Sequence, residues 1–266
     1  MAEVIDIDDP ADPRVDDFRD LNSADRRPDL PGRKGLVIAE GVVVVQRMLD
    51  SRFAPTALLG VEKRRVELAD DLATVEVPYY RASAEVMAEV VGFHLNRGVL
   101  AVAPRPALLT MDEVVDTART VAVLEGVNDH ENLGSMFRNA AGLGASAILF
   151  GDRCADPLYR RAVRVSMGHV LRVPFASVPD WPHGLDILRR KQFQIIALTP
   201  NPAAAQLATA MTGERVALLL GAEGPGLTED AMRATDVRAR IPMSPGTDSL
   251  NVATAAAMAF YERVRL

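Results

Sequence analysis

From Gly35 onward the apolar and polar positions fall into short repeating blocks. LVIAEGVVVVQRMLDS (36–51) joins an apolar run to an apolar face at helical spacing through Val42, Val43 and Leu49, which predicts a strand followed by a helix. TALLGVEKRRVELADDL (56–72) predicts a strand and a charged helix, VEVPYY (75–80) a strand, and SAEVMAEVVGF (83–93) a helix. RGVLAVAPRP (97–106) closes the run with a strand and two prolines. Together these blocks predict a small α/β domain over 31–105. The prolines and charges of PRPALLTMDEVVDTART (104–120) mark a linker at 106–118.

The remaining chain, 119–266, alternates more regularly. Strands are predicted at VAVLEGV (121–127), ASAILFG (145–151), VPFASV (173–178), IIALTP (195–200), VALLLGAE (216–223) and VRARIPM (237–243). Helices are predicted near Leu133–Leu143 and over PLYRRAVRVSMGHVL (157–171), LDILRRKQF (185–193), TEDAMRAT (228–235) and SLNVATAAAMAFYERVRL (249–266). Apolar strands alternating with helices mean a parallel sheet covered on both faces.

Charge refines this division. The 30 basic and 36 acidic residues give a net −6, which at first argues against a nucleic-acid partner. Residues 1–30, however, carry ten acidic side chains and four arginines, so the whole excess lies there and the rest is neutral. Rich in Asp and poor in aromatics, 1–30 reads as a disordered, solvated tail. Only three of the 30 basic residues are lysine, and arginine's planar fork suits phosphate. Arg153, Arg160, Arg161, Arg164 and Arg172 cluster within twenty residues and are the first candidates for contact with a nucleic-acid backbone. Lys63-Arg64-Arg65 and Arg33-Lys34 are further ones. The single cysteine, Cys154, the lack of a basic-apolar leader and the lack of a long apolar run lead to the expectation of a cytoplasmic protein without disulfides or membrane spans.

The parallel sheet invites a dinucleotide-binding reading, but NDHENLGSMFRNAAGLG after the strand at 121–127 contains neither G-x-G-x-x-G nor G-x-x-x-x-G-K-[ST]. The four histidines are scattered without metal-ligand spacing, so no metal is expected. Three clusters remain, each following a predicted strand, where ligands sit in open α/β sheets. They are Asn132-Leu-Gly-Ser-Met-Phe-Arg138-Asn139, LGAEGPGL (220–227) around Glu223, and IPMSPGTDSLNVATAAAM (241–258) with Ser249 and Asn251 at a helix start. Singly, Asn132, Ser249 and Asn251 are ordinary helix-cap types. Their joint order and spacing are far more specific.

These three segments resemble the signature motifs of the SpoU/TrmH family of RNA ribose 2′-O-methyltransferases, within the SPOUT superfamily. The resemblance covers about 119–266, and SMGHVLRVPF (166–175) fits it as well. The segment 36–106 is similar to the small RNA substrate-binding domain that often precedes the family's catalytic domain. The resemblance implies a parallel sheet ending in a deep trefoil knot, which topology rules alone would not propose. It also implies a homodimer, S-adenosyl-L-methionine as cofactor, and methylation of a ribose 2′-hydroxyl in structured rRNA or tRNA.

By the same resemblance Arg138 is the central catalytic residue. A guanidinium stays protonated, so it would orient phosphate and stabilise alkoxide charge rather than act as a base. Asn132, Glu223, Ser249 and Asn251 would orient it, the ribose or the methionine moiety. Leu220, Gly221, Ile241, Met243 and Leu250 would hold the cofactor. The chain departs from the family pattern at Asp129-His130-Glu131, where Asp-Pro is usual, and at Arg138-Asn139, where Arg-Thr is usual. Two alternatives stay open: an RNA-binding protein of this fold without catalysis, and a Rossmann-like oxidoreductase.

Overall fold

The computed structural model describes residues 1–23 and 34–265. Positions 24–30 of the expected tail, the first residues of the expected small domain at 31–33, and with them the candidate Arg33 lie outside these. Up to Ala107 the chain forms β1 (Val4–Ile7), β2 (Leu36–Glu40), α1 (Val42–Leu49), β3 (Ala57–Gly60), α2 (Glu62–Glu67), α3 (Ala69–Ala73), β4 (Tyr79–Ala82), α4 (Ala84–Val91) and β5 (Val99–Pro104). Then follow α5 (Met111–Val115), β6 (Thr120–Glu125), α6 (His130–Leu143), β7 (Ala147–Phe150), α7 (Arg160–Val165), β8 (Phe175–Ser177), α8 (Asp186–Arg190) and β9 (Phe193–Leu198). The chain closes with β10 (Ala205–Gln206), α9 (Leu207–Ala210), β11 (Arg215–Gly221), α10 (Glu229–Arg233), β12 (Val237–Arg240) and α11 (Val252–Arg265). No described helix is long and apolar enough to cross a membrane.

Two compact units result, one of Met1–Ala107 with Leu158–Arg172, the other of Leu108–Pro157 with Val173–Leu266. The first is built on a mixed sheet in the order β1-β4-β3-β5-β2. There β1, β4 and β3 run parallel, and β5 runs antiparallel to both neighbours. Its boundaries correct the expected 31–105 at both ends. β1 pairs with β4, and a 3-10 turn over Pro13–Phe18 sends Val15 and Phe18 into the core beside Leu21, all fully buried. The first 23 residues are therefore part of a fold, not a solvated tail. Val15 and Phe18, three residues apart, share one face of the 3-10 turn. Leu21 joins them after the backbone extends at Arg19 and reverses at Asp20 with φ 56°, and their burial offsets the ordering of the acid-rich segment between them.

The same unit also reclaims α7 from the middle of the expected second domain. The helix predicted over 157–171 is only α7 and a 3-10 turn at His169–Leu171, separated by Gly168 at φ 83°. Gly168 packs so closely on Val44 and Arg47 that an added Cβ would lie 3.2–3.3 Å from their side chains.

The second unit has a seven-stranded, wholly parallel sheet in the order β10-β12-β9-β11-β6-β7-β8. β6 is buried along its whole length and β11 along its middle, as expected of central parallel strands. Six strands fall where the apolar runs predict them, and β10 is additional. The expected linker is instead structured. α5 starts with a capping box between Thr110 and Glu113, worth about 1 kcal/mol, and buries Met111, Val114 and Val115 against the sheet.

Candidate functional site

The site is assembled at the C-terminal ends of β6 and β11. After β6 the chain turns through Gly126, and Asp129 caps α6 by accepting the Asn132 backbone N–H at 2.8 Å. After β11 a tight turn, closed by the Gly226 N–H to Ala222 carbonyl bond of 3.0 Å, carries Glu223 at its tip. Asn251 caps α11 by accepting the Thr254 N–H at 3.1 Å. These three local decisions make Asn132, Glu223 and Asn251 converge.

Asn251 Nδ2 donates to Glu223 Oε1 at 2.8 Å and to Asn132 Oδ1 at 2.7 Å, while Asn132 Nδ2 donates to the same Glu223 oxygen at 3.2 Å. One carboxylate oxygen is thus held by two amides. Oε2 has no partner among the described residues and can accept from a hydroxyl.

Two cavities flank this cluster, and Glu223 with its turn lines both. The first is walled by Leu198, Leu220, Ile241, Met243 and Leu250, with Gly221, Gly224 and Ser249 on its rim. All five residues expected to hold a cofactor line it, and so does Ser249. Its loop admits no side chain at Gly221, where a Cβ would stand 2.2 Å from Gly226 C and Leu227 N. At Gly224 and Gly226, with φ of 86° and 72°, a Cβ would meet open space, so here the wall is bare backbone. The second cavity is polar, lined by Asn128, Asp129, Asn132, Arg153 and Glu223.

A residue the motif reading missed holds the turn in place. Glu125, 1% exposed at the end of β6, accepts the Trp181 indole N–H at 2.7 Å and both the Thr228 N–H and hydroxyl at 2.8 and 2.9 Å. Three donors satisfy a buried carboxylate that would otherwise be costly. A lone acid ending the apolar run VAVLEGV was the available signal. Close by, burial pushes the Cys154 thiol up from its ordinary pKa, and its S–H donates to the Leu124 carbonyl.

The arginines separate into two kinds. Arg138 is exposed on α6 and has no hydrogen-bond or ion-pair partner among the described residues, but it lines neither cavity. Six residues on from Asn132, it stands about 120° around the helix. The chain does not bring it into the cluster with Asn132. Arg160 is not a free surface cation either: it pairs with Glu40, which is 5% exposed, at 2.9 Å, and its guanidinium lies 4.9 Å over the Phe93 ring. Arg164 stands 4.0 Å from the same carboxylate, and Arg161 follows Arg160 on α7. Arg64 and Arg65 are bound to Glu67 and Glu62. Of the first-named RNA candidates only Arg153 lines a cavity of the site. No group of three His, Cys, Asp or Glu that could hold a metal occurs among the described residues.

Residues 119–261, more than half the chain, match the SpoU rRNA Methylase family. The chain belongs to that family. Among its relatives, an uncharacterized tRNA/rRNA methyltransferase of Mycobacterium tuberculosis is 66% identical over 99% of this chain and 92% of its own length. The 23S rRNA (guanosine(2553)-2′-O)-methyltransferase of Bacillus subtilis is 27% identical over 93% and 94%. An rRNA methyltransferase from Sinorhizobium meliloti shares the fold with a TM-score of 0.81 at 24% identity, covering 99% of this chain and 98% of that one. The SpoU methyltransferase AviRb from Streptomyces viridochromogenes, solved with AdoMet, does so with a TM-score of 0.79 at 22% identity, covering 96% and 97%. Membership in the SpoU family gives the three motif clusters a common setting: each follows a strand of one parallel sheet, and the first cavity gathers residues from the second and third.

Proposed function

We propose that this SpoU family member transfers a methyl group from S-adenosyl-L-methionine to a ribose 2′-hydroxyl in structured ribosomal or transfer RNA. The observation that carries the reading is the Asn132–Glu223–Asn251 cluster, standing between an apolar, backbone-walled cavity and a polar one. The first cavity fits the cofactor. Its aliphatic walls suit an adenine, and the bare loop at Gly221, Gly224 and Gly226 offers peptide groups to a polar rim. When bound there, S-adenosylmethionine supplies a methyl group on a sulfonium, so no metal is needed to activate a leaving group.

The chain's own groups then have distinct tasks. A 2′-hydroxyl is a weak nucleophile that gains most from fixed orientation. Glu223, pinned through Oε1 by two amides, presents Oε2 to accept the hydroxyl hydrogen bond and to take up the hydroxyl proton as the oxygen gains the methyl group. Ser249, on the rim of the first cavity, orients the methionine moiety. Arg138 stays protonated and stabilises negative charge rather than removing a proton. Since it lies outside both cavities of its own chain, the reading gives it to RNA phosphate beside the acceptor, reached across a homodimer. Met258, Tyr261 and Val264 support that assembly: 43%, 55% and 63% exposed, they form an apolar stripe on α11.

The trefoil knot belongs to this reading too. It is supported by the path of the chain, which leaves β12 beyond β9 and returns past the Glu223 turn to cap α11 beside Asn132. The unit built on the mixed sheet would bind substrate RNA, and the bacterial source of the rRNA methyltransferase relatives supports a cytoplasmic place for the reaction. Calorimetry with S-adenosylmethionine, followed by incubation with labelled cofactor and separate rRNA and tRNA pools, tests the proposal. Cofactor binding and label in one pool are expected. Binding without transfer to either pool would favour an RNA-binding protein that has lost catalysis.

A further inference from the structure

We infer that the second cavity seats the acceptor nucleotide, and that Arg153 is the arginine of the same chain that holds a phosphate flanking the acceptor ribose. This rests on the methyl-transfer reading and adds to it the place and the charge that receive the substrate.

The cavity's position comes first. It shares Glu223, Ala222, Gly226 and Val252 with the cofactor cavity, so a hydroxyl at Glu223 faces one cavity while the rest of its nucleotide occupies the other. Its chemistry is bipolar. Asp129 and Glu223 carry negative charge, Asn128 and Asn132 offer amides, and Arg153 is the one cation among its lining residues. A free phosphate would meet two carboxylates. A ribonucleotide within RNA brings hydroxyl and amino donors for the acidic end and a phosphate for the arginine, and a deoxyribonucleotide lacks the hydroxyl that Glu223 would accept.

Arg153 itself is presented, not merely exposed. It adopts φ 57°, a conformation that costs a non-glycine residue about 1–2 kcal/mol. The turn is held on both sides, by Gly126 N–H to Asp152 O at 2.8 Å and Ala155 N–H to Val127 O at 3.0 Å. Gly126 and Val127 are themselves cavity residues, so the wall of the cavity fixes the backbone that carries the arginine. The guanidinium has no hydrogen-bond or ion-pair partner among the described residues, whereas Arg160 seven positions later is consumed by Glu40.

The test compares wild type with Arg153→Asn, which tolerates the left-handed backbone, and Arg153→Lys, which restores the charge. Binding of an unmodified 23S rRNA transcript and, in a second arm, a tRNA transcript is measured against salt concentration. For the RNA that accepts methyl label, Arg153→Asn should weaken binding roughly threefold to tenfold. It should also flatten the log–log salt slope by about 0.7–0.9, the share of one phosphate contact. Arg153→Lys should recover the slope, and S-adenosylmethionine affinity should be the same in all three proteins. An unchanged slope in Arg153→Asn with normal methyl transfer by wild type overturns this inference alone, as does a cofactor affinity that falls together with RNA affinity. Failure of wild type to methylate either RNA removes the functional reading and this inference with it.

Discussion

The paired arginines of the unit built on the mixed sheet and the polar groups at the candidate site of the unit built on the parallel sheet are used differently. In the first, Arg81 binds Asp6 and Glu62, Arg65 binds Glu62, and Arg160 binds the buried Glu40. Those charges stabilise their own fold. In the second, Arg138, Arg153 and one oxygen of Glu223 are left without partners among the described residues, and the loop bares its backbone at Gly224 and Gly226. A count of arginines along the chain cannot tell these uses apart, because an ion pair and a phosphate site need the same residue. What separates them is whether an acid stands within reach in the fold.

That contrast can be broken experimentally, beginning where the expected effect is largest. Arg138→Ala should lower kcat for RNA methylation about 100-fold, the scale for a lost preorganised charge, while calorimetry shows S-adenosylmethionine binding unaltered. Equal label incorporation by variant and wild type would take Arg138 out of the chemistry. Gly221→Ala must displace backbone at Gly226 and Leu227, and should weaken cofactor binding at least about tenfold, or 1.4 kcal/mol.

Arg160→Ala should act on stability instead. It leaves Glu40 buried without its 2.9 Å partner, at a cost of about 3 kcal/mol, seen as an earlier unfolding transition. Methylation measured well below that transition should stay within about twofold of wild type; a specific loss of RNA affinity would erase the contrast between the units.

The smallest effect belongs to Arg65→Ala. Arg65 and Arg81 hold the Glu62 carboxyl down to about 2. A lowered folded-state pKa adds stability above the ordinary carboxylate range, and this is lost as pH falls from there toward about 2. The variant should raise the Glu62 titration midpoint by NMR and barely change stability at neutral pH, because exposed pairs contribute little.

Much of the second unit was legible because central parallel strands leave a plain trace: TVAVLE and RVALLLG are apolar on both faces. Motif spacing singled out Asn132, Glu223 and Asn251, and the fold brings these three within hydrogen-bond distance from positions as far as 119 residues apart. The first unit was less so. Aspartates between Ile7 and Leu21 hid the few apolar residues, Val15 and Phe18, that the 3-10 turn sends into the core. α7 could not be assigned to its unit because Glu40 and Arg160 are 120 residues apart in sequence, and nothing local marks them as partners. Arg138 was grouped with Asn132 by motif, yet six residues of helix turn it to another face.

The most direct test of the central claim is the chemical position of the transferred methyl group. RNA labelled by the wild-type protein should yield, after alkaline hydrolysis, labelled dinucleotides that resist cleavage, because a 2′-O-methyl ribose cannot attack its own phosphodiester. Label recovered wholly in mononucleotides would place the methyl on a base and contradict the account.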